Sequence, residues 1–208
     1  VTEMASGSLS AGIGYSQSDG IIFNANVTQK NFMGSGKHIR FGFNNSRVNT
    51  VYSFGYTNPF ATVDGISQGF NLFYRETDAF EANIANYTTD VFGGDINFGI
   101  PISENNRINL AFGYENTQLD VPSNNDITRY DDFIETEGDS FHAFPVTLGW
   151  SSDTRDNAIL PTKGLSQSLS AEVATPIGDL QYYKLRYRNN WYTPLSDTFT
   201  FALRTDLG

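Results

Sequence analysis

Cysteine is absent from the 208 residues, so no disulfide speaks for a compartment and no thiolate is available to a metal or a substrate. The two histidines, His38 and His142, stand alone, without an HxxxH or Cys partner, and make no zinc centre. Long apolar runs are also missing. None approaches the roughly 18 to 20 residues of a membrane helix, which excludes a helical membrane protein. Basic residues are scarce, 13 Lys and Arg against 23 Asp and Glu for a net charge of −10, and they do not cluster. With a pI near 4.5, the chain offers phosphates no basic surface, so no nucleic-acid partner is expected. No signal-peptide pattern starts at Val1, although an envelope protein would have lost its signal in processing.

What the chain does have is aromatic and glycine content: 17 Phe, 11 Tyr and 19 Gly, with only 39% hydrophobic residues in all. A mean hydropathy of −0.34 makes the placement of those residues more informative than their number. They alternate. Eleven segments carry a period of two, each about ten residues long and separated by turns. Leu9, Ala11, Ile13 and Tyr15 are interleaved with Ser8, Ser10, Gly12 and Gly14. The later segments centre on Phe23 to Val27, Ile39 to Phe43, Tyr52 to Tyr56, Phe70 to Tyr74, Phe92 to Ile100, Ile108 to Tyr114, Phe144 to Trp150, Leu169 to Val173, Tyr183 to Tyr187 and Phe199 to Leu203. This is an all-β, antiparallel chain.

Alternation alone serves a soluble β-sandwich as well as a transmembrane β-barrel. Three features favour the barrel. The polar phase is Ser, Asn and Gly with isolated charges, namely Arg40, Arg75, Asp95, Arg107, Glu115, Glu172, Lys184, Arg186, Arg188 and Arg204. Such mixed signs suit a hydrogen-bonded, water-filled lumen better than an ion-selective ring. Tyr15, Tyr56, Tyr74, Tyr114, Trp150 and Trp191 sit at segment ends, where interfacial girdles lie. The connections also alternate in character. Odd-numbered ones include the long polar "ETDAFEANIANYTTD" and "ENTQLDVPSNNDITRYDDFIETEGDS", and even-numbered ones are turn-like and rich in Pro and Gly. Since antiparallel neighbours reverse direction, the two series occupy opposite rims, the long extracellular and short periplasmic asymmetry of outer-membrane barrels.

Catalytic readings are thin. Ser140 and His142 follow Asp139 without a nucleophile elbow, and Asp131, Asp132, Glu135, Glu137 and Asp139 do not follow a calcium-loop spacing, so the longest loop reads as solvated or lid-forming. No enzyme activity, cofactor or metal is expected.

Four even-rim stretches, "QKNFMGSGK", "YTNPFATVDGIS", "FGIPISENNRINLAFGY" and "DTRDNAILPTKG", resemble in order and spacing the barrel of the BamA family of outer-membrane protein assembly factors, along essentially the whole chain. The resemblance implies a sixteen-stranded barrel in the bacterial outer membrane, preceded by periplasmic domains and partnered by unfolded outer-membrane proteins, accessory lipoproteins and lipid. The 208 residues are then expected to be the first eleven strands, with the periplasmic domains and the last strands outside them. The family's inward loop with its Val-Arg-Gly-Phe type motif is not found before Gly208.

On that reading the work is strand exchange at a seam, because an unpaired N–H or C=O in hydrocarbon costs several kcal/mol and a nascent barrel needs a template edge. The candidate template is the first strand: Gly7, Ser8, Leu9, Ser10, Ala11, Gly12, Ile13, Gly14 and Tyr15. Its glycines weaken pairing by roughly 0.5 to 1 kcal/mol each, and its outward set is small for a lipid face. Curvature, or close packing against lumen side chains, is the competing account of the same glycines. The stretch around Asp153, Arg155, Asp156, Pro161 and Gly164 is expected to be a tight structural turn: Pro161 sets φ, Gly164 relieves strain and the charged groups cross-bond. A passive or secretion pore of the outer membrane is the alternative function.

Overall fold

The computed structural model describes residues 7–82, 87–121, 134–196 and 198–208. They build one antiparallel sheet: β1 (Gly7–Ser16), β2 (Gly20–Gln29), β3 (His38–Asn45), β4 (Asn49–Asn58), β5 (Ser67–Asp78), β6 (Thr88–Pro101), β7 (Asn106–Asp120), β8 (Ser140–Ala143), β9 (Pro145–Asp153), β10 (Gly164–Ala174), β11 (Tyr183–Pro194) and β12 (Thr200–Leu207). Neighbours in the chain are neighbours in the sheet, and β8 pairs β7 beside β9. Each of the eleven alternating segments is a strand or part of one. The twelfth strand is β8, which lies ahead of the eighth segment, at the end of the connection expected to be a loop. β8 and β9 share one register against β7, with Ala143 opposite Glu115 and Val146 opposite Phe112. They part at Phe144 and Pro145, where proline has no N–H to give the ladder.

Several strands run further than their apolar signal. β5 continues to Asp78, β6 starts at Thr88 and β7 extends through "ENTQLD" to Asp120, so the odd-rim loops are shorter than expected. In these extensions both faces are polar, and the period of two vanishes although the backbone ladder persists.

The register collects the apolar phase of every strand on one face. Leu9 faces Val27, Val27 faces Phe41, Phe41 faces Phe54 and Phe54 faces Leu72. Further along, Phe112, Val146, Val173 and Tyr183 align in the same way. All ten inward charges named above share the opposite face. There the polar groups bond across strands: Asp95 accepts from Asn71 at 3.0 Å and from Asn97 at 2.8 Å. Glu172 accepts from Lys184 at 3.0 Å, and Arg188 meets Asp206 at 3.1 Å.

Among the described residues no second layer covers the apolar face. Among the described residues the buried apolar side chains are Val48, Ala79, Val91, Ala143, Ala174 and Tyr192, too few for a core, whereas Leu72, Phe92, Ile96, Phe112, Leu148 and Leu185 all stand exposed. A sandwich would have hidden them. A contiguous apolar band of this width is a surface for lipid. The even-rim turns carry exposed apolar tips as well: Met33 between β2 and β3, Phe60 between β4 and β5, Ile102 between β6 and β7, Ile159 between β9 and β10, and Leu195 between β11 and β12.

Candidate functional site

β1 lies at one end of the sheet and pairs only with β2, from Gly7 opposite Gln29 to Ser16 opposite Gly20. Its second edge faces no strand among the described residues. Nine of its ten residues are exposed, and Leu9 reaches 76%. Ser8, Ser10, Gly12 and Gly14 share the inner face; Gly7, Leu9, Ala11, Ile13 and Tyr15 share the outer. At mid-strand the outer pair is Ala11 with Ala25, so the apolar band narrows at this edge.

The three glycines differ. A Cβ on Gly12 would come within 2.9 Å of Asn24 Oδ1, and one on Gly7 would run into Gln29 Oε1. Both positions therefore let a β2 side chain lie across β1. Gly14 meets nothing within 4 Å. Of the three, it is the one that packing among the described residues does not demand.

The hairpin joining β1 to β2 is braced from its neighbours. Ser16 and Ser18 hydroxyls donate to Asp19 Oδ2 at 3.2 and 2.8 Å, and Gly20 turns the chain with φ +67°. Arg47, in the turn from β3 to β4, donates its backbone N–H to Asp19 O at 2.9 Å and its Nη2 to Ser18 O at 2.9 Å. Its Nε reaches Glu81 Oε2, after β5, at 2.9 Å. One side chain thus ties three odd-rim connections together. Neither Arg47 nor Asn24 carries a signal in the sequence, since both act through neighbours that only the register supplies.

The loop from β9 to β10 lies on the other rim, seven strands along, and makes no site with β1. It is not a tight reversal, because ten residues, 154–163, separate the strands. Nor do all its charges bond to each other. Arg155 grips Asp153 in bidentate fashion, Nε to Oδ1 at 2.9 Å and Nη2 to Oδ2 at 2.6 Å. Asp156 instead closes the loop on itself: Oδ1 accepts from the backbone N–H of Thr162 at 2.9 Å and of Lys163 at 3.1 Å, and Oδ2 accepts from the Thr162 hydroxyl at 2.5 Å. The hydroxyl bond, then the Lys163 N–H, lower the Asp156 pKa to about 2. Pro161 immediately precedes Thr162 in this loop. Gly164 has φ +109°, and a Cβ there would strike Thr154 O. The loop is a fixed architectural element.

The remaining polar groups near the odd rim bond to one another across strands and loops. Asn116 Nδ2 donates to Ser140 Oγ at 2.9 Å and contacts His142 Nδ1 at 3.1 Å, which also meets Tyr114 Oη at 3.0 Å. The carboxylate of Asp179 accepts the His142 backbone N–H at 2.8 Å and thereby ties the β10 to β11 loop onto β8. This cluster spans strands and loops as a clasp. Among the described residues no three His, Cys, Asp or Glu come together as metal ligands; Asp131 and Asp132 lie outside them.

Comparison with known proteins agrees with this fold. Over its whole length the chain is 33% identical to the outer membrane protein assembly factor BamA of Neisseria meningitidis serogroup B, of which it spans 27%. It is 25% identical over 57% of its length to BamA of Buchnera aphidicola, spanning 19% of that protein. Among solved structures it superposes on BamA from Haemophilus ducreyi lacking POTRA domains 1–3 with a TM-score of 0.72 and 26% identity, covering 99% of this chain and 42% of that one. The model of the Omp85 superfamily domain matches residues 31–208. A continuous antiparallel wall with one apolar and one hydrogen-bonded face, matched over that span, makes this chain a member of the Omp85 superfamily.

Proposed function

We propose that these strands are part of a bacterial outer-membrane barrel that assembles and inserts other β-barrel proteins, and that β1 is the edge on which an incoming strand pairs. The whole protein then works on unfolded outer-membrane proteins, alongside accessory lipoproteins and within lipid, and breaks no covalent bond. The observation that carries the reading is the make-up of β1, in which Ser8, Ser10, Gly12 and Gly14 line one face and the mid-strand outer pair is Ala11 with Ala25, so that little side-chain packing holds the strand to its neighbour among the described residues. Main-chain groups on such an edge add a strand by β-augmentation, and weak side-chain packing leaves the seam easy to part. The assembly-factor names of the relatives agree with this. Chain segments beyond the barrel wall belong to the same proposal, as 1–208 corresponds to the N-terminal part of a barrel.

Single cysteines from Ser8 to Tyr15 in the full-length parent protein test it against a stalled substrate with a cysteine in its C-terminal strand. A ladder of crosslinks in one register is the expected result. A folded barrel that gives none overturns the pairing role and leaves a pore.

A further inference from the structure

The outer face of β6 presents Phe92, Gly94, Ile96 and Phe98, so one position in the band has no side chain. The register sets Gly94 between Leu72 and Tyr114, and the next row holds Phe70, Ile96 and Phe112. The gap opens a groove of about 720 Å³ along the membrane face, running from Gln68 and Tyr56 up to Phe92. Measured along β5, that is about 20 Å at roughly 3.3 Å per residue. Its floor at Gly94 is backbone edged by the Leu72 side chain, because a Cβ there would lie 2.7 Å from both Asn71 O and Leu72 Cδ2. One wall is rigid: Phe70 stacks on Tyr56 with centroids 5.3 Å apart. The even-rim end is charged, since Lys37 Nζ stands 5.9 Å from the centre of the Tyr56 ring. Among the described residues no carboxylate forms an ion pair with Lys37.

We propose that this groove is a binding site for an anionic phospholipid from the leaflet at the even rim, one acyl chain lying over Gly94 and the phosphate at Lys37. Two observations select that occupant. The groove is continuous with the lipid-facing band, so a hydrocarbon chain enters it without crossing water. An apolar slot with an ammonium 5.9 Å from the ring of its Tyr56 wall, in no ion pair among the described residues, matches a molecule with an apolar chain and an anionic head. The exposed tips Met33 and Phe60 flank Lys37 in sequence on the same rim, which sets the ammonium at headgroup depth. The site does not depend on the strand-pairing proposal, and lipid retention is read without any substrate.

The test uses the detergent-solubilised full-length parent protein, with dioleoyl phosphatidylglycerol or dioleoyl phosphatidylcholine added and retained lipid counted by native mass spectrometry. One phosphatidylglycerol molecule is expected to be held about tenfold more tightly than phosphatidylcholine. Lys37→Gln should erase that preference, Ile96→Trp should reduce retention of both lipids, and Leu185→Trp, far away on the outer face of β11, should change neither. Equal retention of the two lipids by the unaltered protein, or a preference that survives Lys37→Gln, overturns the site. Lys37 lies in a turn outside the sheet, so its variant keeps the test decisive even where Ile96→Trp fails to fold.

Discussion

Gly12 and Gly14 look alike in the sequence, two inner-phase glycines of one strand, and the structure separates them. Gly12 accommodates Asn24, whose side chain lies across β1 from β2, so a larger residue there displaces a polar neighbour before it changes the strand. Gly14 meets nothing within 4 Å among the described residues, so its substitution displaces none of them and changes the intrinsic strength of the strand. Gly14→Val is therefore the clean probe. It should stabilise β1 by up to about 1 kcal/mol and slow substrate insertion into liposomes by roughly fivefold. An unchanged insertion rate would remove Gly14 from the mechanism. The distinction was not legible beforehand, because the residue opposite Gly12 is set by the register of β1 on β2, and a sequence names no partners.

At the scale of elements, strands were legible wherever lipid imposes an apolar side and a lumen a polar one. Their ends were not. Outside the apolar band both faces of β7 are wet, so Glu115 to Asp120 alternate nothing, and they stay extended because β6 and β8 supply their hydrogen bonds. The β9 to β10 loop is legible in its composition but not in its wiring. Its charges, Pro161 and Gly164 mark a defined loop, yet Asp156 bonds Thr162 and Lys163, six and seven residues on, and leaves Arg155 to Asp153. A pH dependence follows. The carboxyl of Asp156 titrates near pH 2 in the folded loop against 3.8 for a free one, so its contribution is complete above about pH 4. It is lost as pH falls through 2. Protection of the Thr162 and Lys163 amides relative to their intrinsic exchange rates should hold at pH 3 and fall near pH 2, and Asp156→Ala should remove it at both.

At the scale of the whole molecule, the sheet has one face for hydrocarbon and one for bonded polar groups, with no core between two layers. Its stability therefore depends on the surrounding solvent more than on its own packing. Leu148 sits mid-strand in the band, 55% exposed. Leu148→Arg in the full-length parent should cost about 2 to 4 kcal/mol in urea titrations of the protein refolded into lipid vesicles. The change should cost little if the face is in water, so a near-zero value would contradict the membrane reading. Closure is a property of this scale too. An open sheet edge in lipid strands backbone groups that nothing else can satisfy, so a wall of this kind is expected to close on itself in the membrane.

The sequence by itself determined the all-β class, the strand order implied by short connections, the identity of the two faces and the family resemblance, because each rests on local periodicity or on turn residues that act within a few positions. Tertiary structure alone decided that Asn24 fills the space over Gly12, that Arg47 holds three turns, and that Leu72, Gly94 and Tyr114 line up to open a groove. Those relations join residues that are distant in the chain, and only the register of hydrogen-bonded strands brings them within contact distance.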